Sequence, residues 1–85
     1  MTFRKGQYVF VLIRTRRGEE TDHGRITTGR PSMRLKDGVG TRHGRIREPH
    51  YHVKFWHGGA RWVPAAEIHR VETRDLHFVK NYWHA

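Results

Sequence analysis

The chain has 85 residues, ten of them aromatic, and a formal net charge of +9 before its eight histidines are counted. That length holds one small domain, and the absence of cysteine excludes disulfides and thiolate metal sites, with a reducing cytosol as the default compartment. No run of 18 apolar residues exists, so a membrane-spanning helix is excluded, and the excess positive charge favours a polyanion or an acidic protein face as partner.

Tyr8–Thr15 (YVFVLIRT) is a β-branched and aromatic run of strand length, preceded by the turn residues Lys5-Gly6-Gln7. Its apolar stretch is short and lacks a small-residue cleavage site, so no signal peptide is expected. Arg16–Glu20 reads as a polar loop. His23–Thr28 and His43–Arg47 read as short strands, and each contains the same word, His-Gly-Arg-Ile, repeated at a distance of 20 residues. Two short copies do not make a solenoid; they suggest a duplicated strand or the two arms of one hairpin. The stretch between them is rich in Gly and Arg and shows almost no periodicity, so residues 29–40 are expected to form a long exposed loop.

Tyr51–Trp56 alternates, with Tyr51, Val53 and Phe55 on one face and His52, Lys54 and Trp56 on the other. His57-Gly58-Gly59-Ala60 forms a tight turn, from which Arg61–Val63 pairs back as a hairpin. Pro64 ends that strand because it has no amide hydrogen to donate. Ala65–Glu67 fits one helical turn, and Ile68–Val71 a last short strand. Thr73–Trp83 reads as a helix with Thr73 as cap and Leu76, Val79, Tyr82 and Trp83 on one stripe, although its aromatic content also permits a strand.

The charge is uneven. Residues 1–47 carry +8 of the +9, and the block 23–47 alone carries +6. Arginine outnumbers lysine 13 to 4, and the guanidinium fork suits phosphates and base edges. The candidate nucleic-acid face is therefore Arg25, Arg30, Arg34, Lys36, Arg42, Arg45 and Arg47. Gly29-Arg30-Pro31 matches the centre of a minor-groove arginine hook, but Thr27-Thr28 stands where a further arginine is needed, so general phosphate contact is the simpler expectation.

A strand, a long loop, Gly-Arg-Ile, a hairpin, Val-Pro, a short turn and a closing Ile strand together resemble an SH3-like small β-barrel. The segment 43–71 (HGRIREPHYHVKFWHGGARWVPAAEIHRV), with residues 6–15 as first strand, is similar to Tudor, KOW-type and retroviral-integrase C-terminal barrels. The resemblance implies an all-β fold: an antiparallel barrel of five or six strands over residues 1–72, the long 29–40 loop, a helical turn at 65–67 and a C-terminal appendage over 73–85 that packs on the barrel. It does not settle the ligand, because members bind DNA, RNA, methylated tails or proteins. A methyl-lysine cage would need several aromatics near an acid. Phe55 matches one position and Trp62 lies about one residue out of step, whereas Ile13 replaces an aromatic. The KOW-like and integrase-like pattern, with basic residues along strands and loops, fits better.

Catalysis has little support, since Ser32 is the only serine, no base is positioned beside it and the acids are scattered. His50 and His52 share a strand face, yet no recognised ligand spacing is present, and neither metal nor cofactor is expected. Trp56 and Trp62 flank one hairpin as possible stacking or docking residues; the alternative for Trp56 is cover by the C-terminal tail through Tyr82 or Trp83. The expected function is nucleic-acid binding in the cytoplasm or on the nucleoid, mainly through phosphate contacts. The alternative is an accessory or inhibitory module that docks on an acidic protein or a nucleoprotein machine.

Overall fold

A computed structural model describes residues 2–35 and 47–84. In chain order these form β1 (Tyr8–Thr15), β2 (Gly18–Ile26), β3 (Ser32–Leu35), β4 (Arg47–Phe55), β5 (Ala60–Pro64), one 3-10 turn (Ala65–Glu67), β6 (Ile68–Arg70) and α1 (Thr73–His84). The sheet order is β3-β4-β2-β1-β6, with β5 on the remaining edge of β4. The pairings are antiparallel. The sheet curls into a half-barrel compatible with an SH3-like arrangement. No described helix is long and apolar enough to cross a membrane.

Alternation along the strands builds the core. On β4, Tyr51, Val53 and Phe55 point inward and are buried, joined by Val9 and Val11 of β1, Ile26, Val63, Ile68 and Phe3. The Phe3 ring meets Tyr51 edge-on at 5.2 Å, and the Phe3 amide donates to the Tyr51 hydroxyl at 3.4 Å. β1 is apolar on both faces for a reason. Its inner face lines the core, and its outer face, at Tyr8, meets Trp83 of α1 at 6.1 Å. A strand covered on both sides loses the polar half of its alternation.

The Tyr51–Phe55 alternation, the strand ending at Pro64, the turn at 65–67 and the C-terminal helix are as the sequence leads one to expect. Several boundaries differ. Gly18–Glu20 belongs to β2, because the hairpin turns tightly at Arg16-Arg17, where the Thr15 hydroxyl caps the Arg17 amide at 3.2 Å. The expected 29–40 loop contains a strand: β3 pairs Ser32 with His50 and Leu35 with Arg47, which also lengthens β4 toward its start. Four residues with one paired edge carry too little periodicity to be read from sequence. The cap of α1 is Glu72 rather than Thr73, since the Glu72 carbonyl accepts the amides of Asp75 and Leu76. The second His-Gly-Arg-Ile copy lies outside the described residues, and the first sits in β2 opposite Val53–Phe55.

Two glycine positions have a steric reason. Gly58 and Gly59 turn the β4–β5 hairpin at φ of 97° and 79°, a region L side chains rarely adopt. At Gly24, β2 approaches β4 so closely that a Cβ would lie 2.5 Å from Val53 Cγ1 and 2.7 Å from the Lys54 carbonyl oxygen. Gly24→Ala must therefore push the two strands apart. The expected loss is about 1–3 kcal/mol, seen as a lower urea midpoint at unchanged m-value.

Candidate functional site

The outer face of the sheet has two parts. α1 packs on Tyr8 of β1, His23 of β2 and Trp56 just beyond β4. The rest, across β2, β4, β5 and β3, is polar and cationic.

In the cationic part, Arg25 stands between Tyr8 of β1 and Lys54 of β4 in the ladder. Its Nε donates to the Gly6 carbonyl at 3.4 Å, and its guanidinium lies over the Tyr8 ring at 4.8 Å. A turn at Arg4–Gln7 brings Lys5 alongside. The Gly6 amide donates to the Ile26 carbonyl at 2.6 Å, and the Ile26 amide donates to the Gln7 carbonyl at 2.9 Å. Lys5, Arg25, Thr27, Lys54 and Trp83 thus line one open cleft of about 320 Å³.

A second open cleft, about 450 Å³, is lined by Met33, Arg34, Leu35, Arg47, His50 and Trp62. The Arg34 guanidinium lies 4.3 Å from the centre of the Trp62 ring. His50, 4% exposed, turns its Nδ1 to the Glu48 carbonyl at 2.8 Å. That carbonyl can only accept, so Nδ1 carries the hydrogen and Nε2 remains for anything that enters. His52 joins the two clefts: its Nδ1 is 2.7 Å from the Thr27 hydroxyl, and its ring meets Trp62 at 5.2 Å. Six residue steps along β4, from Glu48 beside Arg34 to Lys54 beside Arg25, separate them, or about 20 Å of strand.

The electrostatics of this face are mainly positive, with Glu48 opposite Arg34 as its acidic residue in the ladder. Among the described residues, ion pairs join His57 to Asp22 and Arg74 to Glu72 and Asp75; none reaches Lys5, Arg25, Arg30, Arg34, Arg47 or Lys54. Of the residues expected on a nucleic-acid face, Arg34 and Arg47 share the second cleft, and Arg25 lines the first. Arg30 is exposed between β2 and β3 and lines neither. Lys36, Arg42 and Arg45 lie outside the described residues. Lys5 and Lys54 were not among the expected residues. Lys54 shows in the outward alternation of β4, whereas Lys5 is brought in by a turn that leaves no charge pattern. No cluster of three or more potential metal ligands occurs among the described residues.

The tryptophans divide. Trp62 belongs to the cationic face. Trp56 belongs to the helix-docking cluster: it stacks on His23 at 5.4 Å and 23°, meets Tyr82 at 5.4 Å and donates its Nε1 hydrogen to the Tyr82 carbonyl at 3.2 Å. The C-terminal tail therefore packs on it, although 40% of it stays exposed. Comparison with protein-family models, with characterised proteins and with solved structures found no match.

His23 holds the helix end. Trp83 Nε1 donates to His23 Nδ1 at 3.0 Å, which requires that nitrogen to be unprotonated. Burial lowers the pKa of His23; the Asp22 carboxylate opposes this and His57 adds to it. Because the folded value lies below the unfolded value of about 6.5, the unfolded state takes up the proton first. Stability is then full above that value and falls as the pH drops through it and on through the folded pKa. Urea midpoints measured between about pH 7.5 and about pH 5 should fall further for the wild type than for His23→Phe, which has no proton to gain. Equal slopes would remove His23 from that role.

Proposed function

We propose that this chain binds nucleic acid through the outer face of its sheet, chiefly by contacts between guanidinium or ammonium groups and phosphates. One observation carries the proposal. Arg25 and Lys54 are directly opposite each other on adjacent strands, and no described carboxylate is within ion-pairing distance of either. Like charges in that position destabilise a sheet. Lys5 beside them raises the repulsion further. A bound polyanion turns that cost into affinity, because each phosphate neutralised releases a condensed counterion.

The half-barrel scaffold supports the same choice among the barrels that the sequence resembles. KOW-type and integrase C-terminal barrels carry basic residues along strands in this manner. A Tudor-type cage for methylated lysine is disfavoured, since Phe55 is 7% exposed in the core, and Trp62 already has a guanidinium over its ring.

A second reading rests on a different surface. Phe78 and Tyr82, four residues apart on α1, are 66% and 56% exposed, next to the partly exposed Trp56. Exposed aromatics in one patch mark protein contact sites, and this patch would serve a module that docks on another protein.

With Lys5, Arg25, Arg34, Arg47 and Lys54 engaged, the affinity for duplex DNA should fall with salt at a slope of about −4 to −5 on a log–log plot. Arg25→Ala with Lys54→Ala should weaken binding across sequences and flatten that slope by about 2. Phe78→Ala with Tyr82→Ala should leave it as it was. No binding at low salt, or a flat salt response, rejects the proposal. Affinity lost through Phe78 and Tyr82 instead moves the interface to α1.

A further inference from the structure

We infer that the Arg34–Trp62 cleft is a subsite for an unpaired base of single-stranded nucleic acid. The inference rests on the nucleic-acid function proposed above and goes further by separating two kinds of contact on one face.

The two clefts differ in chemistry. The Lys5–Arg25–Lys54 cleft holds three cations and a hydroxyl, and its indole, Trp83, is already engaged by the Tyr8 ring and by His23, so what it leaves for a ligand suits phosphate. The second cleft has two arginines, but also an indole and two apolar side chains, Met33 and Leu35, which are 56% and 47% exposed. A phosphate has no use for an indole or a thioether, and solvent-facing apolar groups of that size are an unfavourable surface unless something covers them. A planar heteroaromatic ring with an anionic tail matches all six residues.

The geometry is suited to stacking. Arg34 is an exposed residue whose guanidinium sits over the Trp62 ring at 4.3 Å. Bases stack on indoles and on guanidinium planes alike, so a base can extend this pair. His52, in edge contact with Trp62 and 2.7 Å from the Thr27 hydroxyl, holds the ring from the opposite side of the hairpin. His50 offers Nε2 to a base edge, and Arg47 supplies charge for the attached phosphate. A duplex keeps its base faces inside its own stack, so only an unpaired base has a free face for this site. The strand then continues across Thr27 and His52 to the phosphate cleft.

The test compares a single strand carrying bases with an abasic strand of the same length and charge, each as a deoxyribose and a ribose version. The base-bearing strand is expected to bind more tightly, and Trp62→Ala should erase the difference, a loss of about five- to 150-fold for one stacked base. Trp62→Phe, which keeps a ring, should retain part of it. Arg34→Ala changes an exposed residue and gives a second route to the same answer if Trp62→Ala does not fold. Arg25→Ala with Lys54→Ala should weaken both strands and leave their ratio in place. Equal binding of the two strands by the wild type overturns the subsite, as does a ratio that survives both Trp62→Ala and Arg34→Ala. In either case salt-dependent binding through Arg25 and Lys54 still stands. If no strand binds at all, it is the nucleic-acid function that fails, and the subsite with it.

Discussion

The double pairing of β4 is the constraint on which the rest of the molecule depends. Along nine residues this strand takes β5 on one edge and β3 followed by β2 on the other. Its inward residues, Tyr51, Val53 and Phe55, form the centre of the core, and its outward residues, His50, His52 and Lys54, form the middle of the cationic face. The core and the candidate site are thus two sides of one ladder. A slip of one residue would turn Lys54 into the core and Val53 into solvent, so hydrophobic burial holds the cations in register. The close approach of Gly24 to Val53 and Lys54 tightens the same coupling, because it brings the Arg25 strand against the Lys54 strand.

A face that collects positive charge works against its own fold. The repulsion between Arg25 and Lys54 is softened on one side only, where the Tyr8 ring and the Gly6 carbonyl hold the Arg25 guanidinium. Arg34 is treated in the same way by Trp62. Aromatic faces and carbonyls orient these arginines and leave their charge intact, whereas a carboxylate would cancel it. That difference separates a surface able to attract a polyanion from an ordinary solvated one, in which charges of both signs alternate. Glu48 stands opposite Arg34 in the β3–β4 ladder but makes no ion pair with it, and other acidic residues lie elsewhere. Asp22 engages His57, and Glu72 and Asp75 engage Arg74, away from the two clefts.

The C-terminal helix takes up the part of the outer face that the cations do not. Val79 is buried, and Trp83 and Tyr82 close on His23 and Trp56 through ring contacts and two indole hydrogen bonds. Trp83 also lines the Lys5–Arg25–Lys54 cleft. The docking of α1 and the shape of that cleft are therefore linked through one side chain, whose indole hydrogen needs an unprotonated His23.

Much of this was legible in the residues themselves. The Tyr51–Phe55 alternation, the Gly58-Gly59 turn, the stop at Pro64 and the stripe on residues 73–83 are local signals, in which spacing and backbone restriction act over a few neighbours. They were enough for strands, a hairpin, a 3-10 turn and a helix, and for an outward-facing Lys54. The concentration of arginine in residues 23–47 was visible as well. Three things were decided only in three dimensions. The short β3 exists because β4 offers it an edge. Lys5 reaches Arg25 because a turn is tied to the end of β2. Trp56 and Trp62, nearly equivalent on one hairpin, part company because a helix far along the chain packs on the first and an arginine from β3 lies over the second. Each depends on contacts between residues remote in sequence, and those energies leave no periodic trace in the chain.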